Sequence, residues 1–169
     1  YALKKYGFAH GEGLYTDMIA IRRDDPLSPA VTELMALHLA ASRAETPAEN
    51  AHALDASGLA DSAITFWTAW DGETLAGFVA LKQLDPTHGE VKSMRTAPAA
   101  LRRGVARQLL AEVIAEARAR GYRRISLETG TAPSYAPANA LYEAAGFQDG
   151  PVFGGYPPSP HNRFMTMPF

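Results

Sequence analysis

The stretch that most constrains the fold of this chain lies at residues 88–121, HGEVKSMRTAPAALRRGVARQLLAEVIAEARARG. Val91 and Met94 indicate a buried strand, a Pro/Ala turn follows, and LRRGVAR opens a long amphipathic helix. A strand, a turn and a helix in this order direct several backbone N–H groups and the positive end of the helix dipole at one point. Such a point suits a phosphate, and we interpret the stretch as a pyrophosphate cradle.

The segments after this turn predict a crossover. Between Gly104 and Gly121 the apolar residues have the spacing of one buried helical stripe, and Gly121 supplies a stop signal. RRISLETG at residues 123–130 is then a strand. Because a helix connects it to the strand at 88–96, the two strands can lie side by side and parallel.

The segments before the cradle predict two helices and three strands. MIAIRRDD, from Met18, alternates like a first strand, and Ser28-Pro29 gives a helix start. AENAHAL at residues 48–54 is a predicted second short helix, ended by a linker at 55–61. ITFWTAW, Asp-Gly and TLAGFVALKQL form a hairpin signature, so with the strand at 88–96 three consecutive strands pair antiparallel.

The C-terminal part predicts one more helix and two closing strands. SYAPANALYEAAGF is a helix from about Pro137, with Gly146 at its end. Residues 147–153 and 163–169 are predicted strands, joined by the loop GGYPPSPHN. The whole pattern is a mixed α/β fold.

Composition limits the classes of function. With 169 residues and 47% hydrophobic composition, the chain can bury one sizeable core, so residues 18–169 are expected to form one domain. Met18 reads as a natural start, which makes residues 1–17 an extension or an artificial arm. A net charge of −2 argues against a general nucleic-acid or membrane-surface binder.

The absence of certain residue types and spacings excludes some kinds of catalytic and metal-binding site. There is no Cys, which excludes disulfides, thiolate metal sites and cysteine nucleophiles. No His/Asp/Glu set has metal-ligand spacing such as HExxH, so no metal is expected. Without a bilayer-length apolar run or a signal-peptide core, the expected location is the cytoplasm.

The order of elements, together with LRRGVARQLL and ANALYEAAGF, resembles the GCN5-related N-acetyltransferase (GNAT) superfamily over residues 18–169. The resemblance implies a mostly antiparallel sheet in which parallel strands four and five splay apart, with helices on both faces. It also implies acetyl-CoA as cosubstrate. More narrowly, ITFWTAWDGETLAGFVALKQLD, HGEVKSMRT and RISLETG resemble a bacterial subfamily of acetyltransferases whose acceptors are largely undefined.

The superfamily's pyrophosphate motif, Gln/Arg-x-x-Gly-x-Gly/Ala, matches residues 101–106, although Leu101 departs from it. Backbone amides and neighbouring arginines must then replace the missing side-chain hydrogen bond. The residues that the resemblance assigns to the cosubstrate here are Arg102, Arg103, Gly104, Val105, Ala106 and Arg107. Alternatively, Gly104 only makes a turn and the arginines are solvated.

The resemblance places the pantetheine arm along the fourth strand, on the backbone of Met94, Arg95 and Thr96. Asn139 matches a position that commonly contacts this arm. Tyr142 matches the tyrosine that commonly approaches the sulfur. Three residues apart, Asn139 and Tyr142 share one helix face.

The expected chemistry is direct attack of an amine on the thioester, which needs a base for the amine and benefits from an acid for the thiolate. Tyr142 is the candidate acid, unless it is only a packed core tyrosine. Glu90, fourteen residues before Gly104 as in histone-type members, is the chosen base, unless it is only exposed or paired with a neighbour such as Lys92 or Arg95. Glu128 competes with it, and His88 could act through water.

The acceptor side carries no readable motif. Tyr156 and His161, in the last loop, could line the acceptor pocket. Small amines, amino acids, antibiotics, peptide termini and protein lysines all stay open as acceptors. A catalytically silent acyl-CoA-binding module and an O-acyl or longer-chain acyltransferase stay open as alternative functions. The oligomeric state is equally open, with a homodimer the commonest arrangement among soluble assemblies.

Overall fold

A computed structural model describes residues 18–169. The expectation for residues 1–17 lies outside the described residues. From residue 18 onward the strands and α-helices are β1 (Ile19–Arg23), α1 (Pro29–Glu45), α2 (Ala56–Leu59), β2 (Ile64–Asp71), β3 (Thr74–Asp85), β4 (His88–Thr96), α3 (Val105–Ala119), β5 (Arg124–Gly130), α4 (Ala136–Ala145), β6 (Gln148–Asp149) and β7 (Asn162–Pro168).

The strands form one sheet in the order β1-β2-β3-β4-β5-β7-β6. Neighbouring strands are antiparallel except for β4 and β5, which run parallel on either side of the α3 crossover. The predicted hairpin and the predicted parallel pair are both confirmed. At the hairpin turn Gly72 has a φ of 57°, the left-handed conformation that favours glycine.

Two separate cores cover the two faces of the sheet. On one face, α3 buries Leu109, Leu110 and Val113 against strands β2 to β5, and α4 adds Tyr142. On the other face, the cluster consists of Val31, Leu34, Met35, Leu59, Phe66, Phe78 and Ala80. Each fully buried side chain of this size contributes about 1.5–3 kcal/mol. Helices on both faces are thereby confirmed.

Local signals explain where the longer helices begin and end. Ser28 is extended, and Pro29 supplies the first helical φ of α1. Gly104, with a φ of 77°, immediately precedes α3. Gly146, with a φ of 108°, ends α4 in the left-handed conformation of a helix C-cap.

The prediction of a helix at 48–54 is wrong. Only a 3-10 turn forms there, at Ala48–Asn50, and the helical turn α2 falls inside the predicted linker. Asp55 begins α2 because its carboxylate accepts a hydrogen bond from the Gly58 N–H at 2.8 Å. The polar N-cap therefore determined the position of this turn.

The closing strand predicted at 147–153 is also too long, since β6 contains only Gln148–Asp149. Its pairing with β7 stops after the Gly150 N–H, which donates to the Phe164 carbonyl at 3.0 Å. Pro151 has no N–H and cannot extend the ladder.

No helix between residues 18 and 169 has both the length and the apolar character needed to cross a bilayer.

Candidate active site

The candidate site is a cleft that opens where β4 and β5 separate. The two strands pair only over His88, Gly89 and Glu90, opposite residues 124–126. Beyond that point, one extra residue in β4 disrupts the register with β3, and Ser93 adopts a φ of 52°. Such a bulge bends the strand that carries it. The β5-facing edge of β4 is consequently left without a partner strand after residue 90.

The cleft has a volume of about 240 Å³. Its walls come from β4, β5, the C-terminal half of α1, the start of α4 and the last loop. Both candidate carboxylates and Tyr142 line it, together with Met94, Arg95, Tyr156 and His161. The structure therefore brings together residues as far apart in the chain as His38 and Asn162.

Glu90 is buried in a three-membered polar cluster. The Glu90 side chain is 3% exposed and that of Lys92 is 8% exposed. One oxygen of Glu90 accepts hydrogen bonds from Lys92 Nζ at 3.2 Å and from the Tyr156 hydroxyl at 2.6 Å, and Lys92 Nζ also lies 2.5 Å from the Tyr156 oxygen. Burial and the Glu90 carboxylate raise the pKa of Tyr156, so its hydroxyl stays protonated. Glu90 is thus a paired carboxylate.

Glu128 presents the opposite case. Its Oε1 accepts a hydrogen bond from Asn162 Nδ2 at 2.8 Å, but its Oε2 is buried and has no hydrogen-bond partner among the described residues. Burial raises the pKa of Glu128 to about 7, although the Asn162 hydrogen bond and the charge of Lys92 oppose that rise. Glu128 can therefore hold or release a proton near neutral pH.

Tyr142 and Asn139 lie on α4, against the end of β5. Tyr142 is 8% exposed and packs edge-on against Phe147, and burial raises its pKa to about 12. Asn139 accepts a hydrogen bond from the Thr129 hydroxyl at 2.9 Å and donates to the Gly130 carbonyl at 3.1 Å. Asn139 thereby fixes α4, and with it Tyr142, to the tip of β5.

The loop before α3 lies at the other end of β4. Arg102 has a φ of 61° and Gly104 a φ of 77°, and the first hydrogen bond of the helix runs from the Gln108 N–H to the Gly104 carbonyl at 3.1 Å. The N–H groups of Val105, Ala106 and Arg107 precede that bond, like the first amides of any helix. A Cβ built on Gly104 would meet nothing closer than 4.0 Å, so a ligand can approach this backbone.

The side chains of the loop differ in their roles. Arg103 Nη1 forms an ion pair with Asp71 at 2.8 Å and joins the loop to the β2-β3 turn. Arg102 and Arg107 are exposed, and Leu101 is 57% exposed. The arginines expected here are present, but Arg103 already forms an ion pair with Asp71 within the fold.

The roles of two residues at the site are not evident from the sequence pattern. The pattern offers Lys92 only as a charge partner for Glu90, whereas in the structure Lys92 also contacts Tyr156. No sequence pattern indicates a role for Asn162, because its contact with Glu128 depends on the pairing of β7 with β5.

His88 lies apart from the lining of the cleft and hydrogen bonds to Ser126 at 2.8 Å. Among residues 18–169, no three His, Asp or Glu side chains converge to hold a metal ion.

Comparisons with known proteins give a family match and related sequences. The sequence profile of the acetyltransferase (GNAT) family matches residues 31–147. The uncharacterized N-acetyltransferase YsnE of Bacillus subtilis is 48% identical over 146 residues, which cover 86% of this chain and 97% of that protein.

Solved structures share the fold. A putative acyl-CoA N-acyltransferase from Klebsiella pneumoniae superimposes with a TM-score of 0.75 at 25% identity, covering 90% of this chain and 99% of the other. A GNAT family acetyltransferase from Elizabethkingia anophelis, solved with acetyl-CoA bound, gives a TM-score of 0.66 at 18% identity, with coverage of 91% and 100%.

Proposed function

The chain belongs to the acetyltransferase (GNAT) family, and from that premise we propose that it transfers the acetyl group of acetyl-CoA directly to an amine in the cleft between β4 and β5. The observation that carries this proposal is the unpartnered oxygen of Glu128 in that cleft. The proposed location is the cytoplasm, where acetyl-CoA is available.

The loop before α3 fits the diphosphate of the cosubstrate. The N–H groups of Val105, Ala106 and Arg107, with the positive end of the α3 dipole, form an anion site of the kind found at helix N-termini. The open space in front of Gly104 leaves the backbone accessible. Arg102 and Arg107 add positive charge from solvent, while Arg103 holds the loop through Asp71.

The splayed part of β4 fits the pantetheine arm. After the bulge at Ser93, the backbone of Met94, Arg95 and Thr96 has no strand on its β5 side, so an extended amide-bearing arm can add there. Acetyl-CoA, once bound, supplies a thioester whose carbonyl carbon accepts the amine. Asn139 sets the position of α4 and presents the Tyr142 hydroxyl to the same cleft.

We propose Glu128 as the group that receives the proton from the acceptor nitrogen. As the new N–C bond forms and the C–S bond breaks, that proton passes to Oε2 of Glu128, and the departing sulfur takes a proton from the Tyr142 hydroxyl. Glu90, the base predicted from the sequence, already accepts two hydrogen bonds on one oxygen. Its pairing with Lys92 and Tyr156 suits a residue that shapes the acceptor wall.

A thiol-release assay with acetyl-CoA and a broad panel of amines tests this function. We expect turnover with at least one class of amine. E128Q should lower kcat by about 10²-fold or more, the usual contribution of a general base. E90Q, the matched control on the neighbouring strand, should mainly raise the acceptor KM.

The alternatives give different results. If E90Q instead lowers kcat while E128Q does not, the base is Glu90, as the sequence predicted. Binding of acetyl-CoA without turnover on any amine would indicate a silent acyl-CoA-binding module. A larger rise in melting temperature with longer acyl-CoAs than with acetyl-CoA would indicate a longer-chain acyltransferase.

A further inference from the structure

The acceptor wall of the cleft contains polar atoms that the protein itself leaves unsatisfied. Within residues 18–169, four residues that line the cleft each have a buried side-chain atom without a hydrogen-bond partner: His52 Nε2, Ser93 Oγ, Arg95 Nε and Glu128 Oε2. Each buried group left unpaired costs about 1–3 kcal/mol. Their concentration in one cavity indicates a ligand that carries several polar groups of its own.

Arg95 lies on the same face of the sheet as the proposed base. It pairs with Phe78 across β3, and paired residues of antiparallel strands share a face. Phe78 belongs to the core under α1, which identifies that face. Glu128 alternates with Leu127, whose side chain lies in the core under α3, so Glu128 also points to the α1 face.

The charges on this face differ in whether they are neutralised. Lys92 is paired with Glu90 at 3.2 Å. Burial and the charge of Arg95 lower the pKa of His38 to about 4, which leaves that imidazole neutral at pH 7. Among the described residues, no carboxylate lies within ion-pair distance of Arg95. Among these residues, the cleft therefore contains one cation without a carboxylate partner, Arg95, and on the same face it contains the unpartnered oxygen of Glu128.

We propose that the acceptor is a small amine that also carries a carboxylate, with its nitrogen at Glu128 and its carboxylate on the Arg95 guanidinium. This inference rests on the proposed function and adds the substrate class. A guanidinium presents paired N–H groups that match a carboxylate in a bidentate manner. A cavity of about 240 Å³ suits a molecule of amino-acid size. Free α-amino acids or short ω-amino acids have the required groups.

Matched pairs of acceptors test the proposal. Common α-amino acids and short ω-amino acids are each compared with their own carboxamide, which keeps the amine and the shape but loses the charge. For the best acceptor we expect kcat/KM to exceed that of its carboxamide by at least about tenfold, the scale of one lost charge-assisted hydrogen bond. Equal use of acid and amide would overturn the proposal.

Variants of Arg95 locate the recognition. R95Q should reduce the acid-to-amide ratio to near one, and R95K should retain part of it, because a lysine keeps the charge without the planar fork. R43Q, at the exposed end of α1, is the matched control and should leave the ratio unchanged. An R95Q variant that keeps the ratio, or that raises only the KM for acetyl-CoA, would contradict the assignment.

A binding measurement tests the proposed carboxylate site independently of the proposed acetyltransferase activity. Calorimetry on the CoA-saturated protein compares an N-acetyl amino acid, the expected product, with its carboxamide. Tighter binding of the acid that R95Q removes supports the carboxylate site even if no turnover is found. Turnover of simple amines without any preference for the acid would retain the acetyltransferase and reject the carboxylate site.

Discussion

The two ends of the proposed site, a cosubstrate end at the loop before α3 and an acceptor end in the cleft, are built from different parts of the chain. At the cosubstrate end, the loop before α3 presents main-chain N–H groups, and its geometry depends on Gly104 and on a helix start. At the acceptor end, the groups that matter are side chains from β4, β5 and the last loop. A main-chain site tolerates many residue types, whereas a side-chain site changes with each substitution. The first end is accordingly suited to a constant ligand and the second to a variable one.

The largest effect should follow from breaking the acceptor wall at Lys92. K92M leaves the Glu90 carboxylate buried without its cation, and removal of one partner of a buried pair costs about 3–5 kcal/mol. Because Tyr156 still donates to Glu90, we expect the lower end of that range. Urea unfolding measures it. The double variant E90Q/K92M should recover part of the loss, and a single K92M variant as stable as wild type would contradict a side-chain-built wall.

The pH dependence of turnover should show the next largest effect. Because burial raises the pKa of Glu128 to about 7, the carboxylate is protonated at lower pH and cannot accept a proton. We expect kcat/KM to rise by about tenfold per pH unit well below 7 and by about fiftyfold between pH 5 and 7, and then to level off. The E128Q variant should not show this rise of kcat/KM below pH 7. A rise that persists in E128Q would come from the titration of another group.

Substitution of Gly104 tests whether the main chain of the loop before α3 determines the affinity for acetyl-CoA. G104V forces a β-branched residue into a φ of 77° and places a side chain over the amides, so we expect acetyl-CoA affinity to fall at least about tenfold. R102G, which keeps the main chain in its left-handed conformation, should change affinity by no more than about fivefold. Calorimetry with acetyl-CoA compares the two variants. A larger loss in R102G would show that side chains dominate this end as well.

Some features of the structure depend on neighbouring residues in the sequence, and others depend on contacts between distant segments. The Asp-Gly turn, the Pro29 helix start and the left-handed Gly104 depend on neighbouring residues, so the hairpin, α1 and the α3 cradle could be predicted. The bulge at Ser93 depends on the register with β3, which no local pattern encodes. The unpartnered oxygen of Glu128 depends on where β7 brings Asn162. The conformation of the loop before α3 was therefore largely predictable, and the contacts of the polar side chains in the cleft were not.

The smallest expected effect concerns stability at Glu128. A carboxyl whose pKa is raised in the folded state binds more protons there than in the unfolded chain, so the stability it contributes at low pH is lost as pH rises from about 4.5 toward 7. E128Q removes that loss. We expect its melting temperature to exceed that of wild type by a few degrees at pH 8 and by little at pH 4.5, as measured by calorimetry. An equal gain at both pH values would indicate better packing instead.

The loop between β6 and β7 carries Tyr156 into the cleft, whereas the turn before α3 connects β4 to α3 elsewhere in the chain. Mutation can therefore lengthen, shorten or replace this loop while the scaffold that handles the acetyl donor is inherited intact. Related proteins with the same donor site are expected to diverge first in this segment, so its sequence is the place to look when assigning their individual substrates.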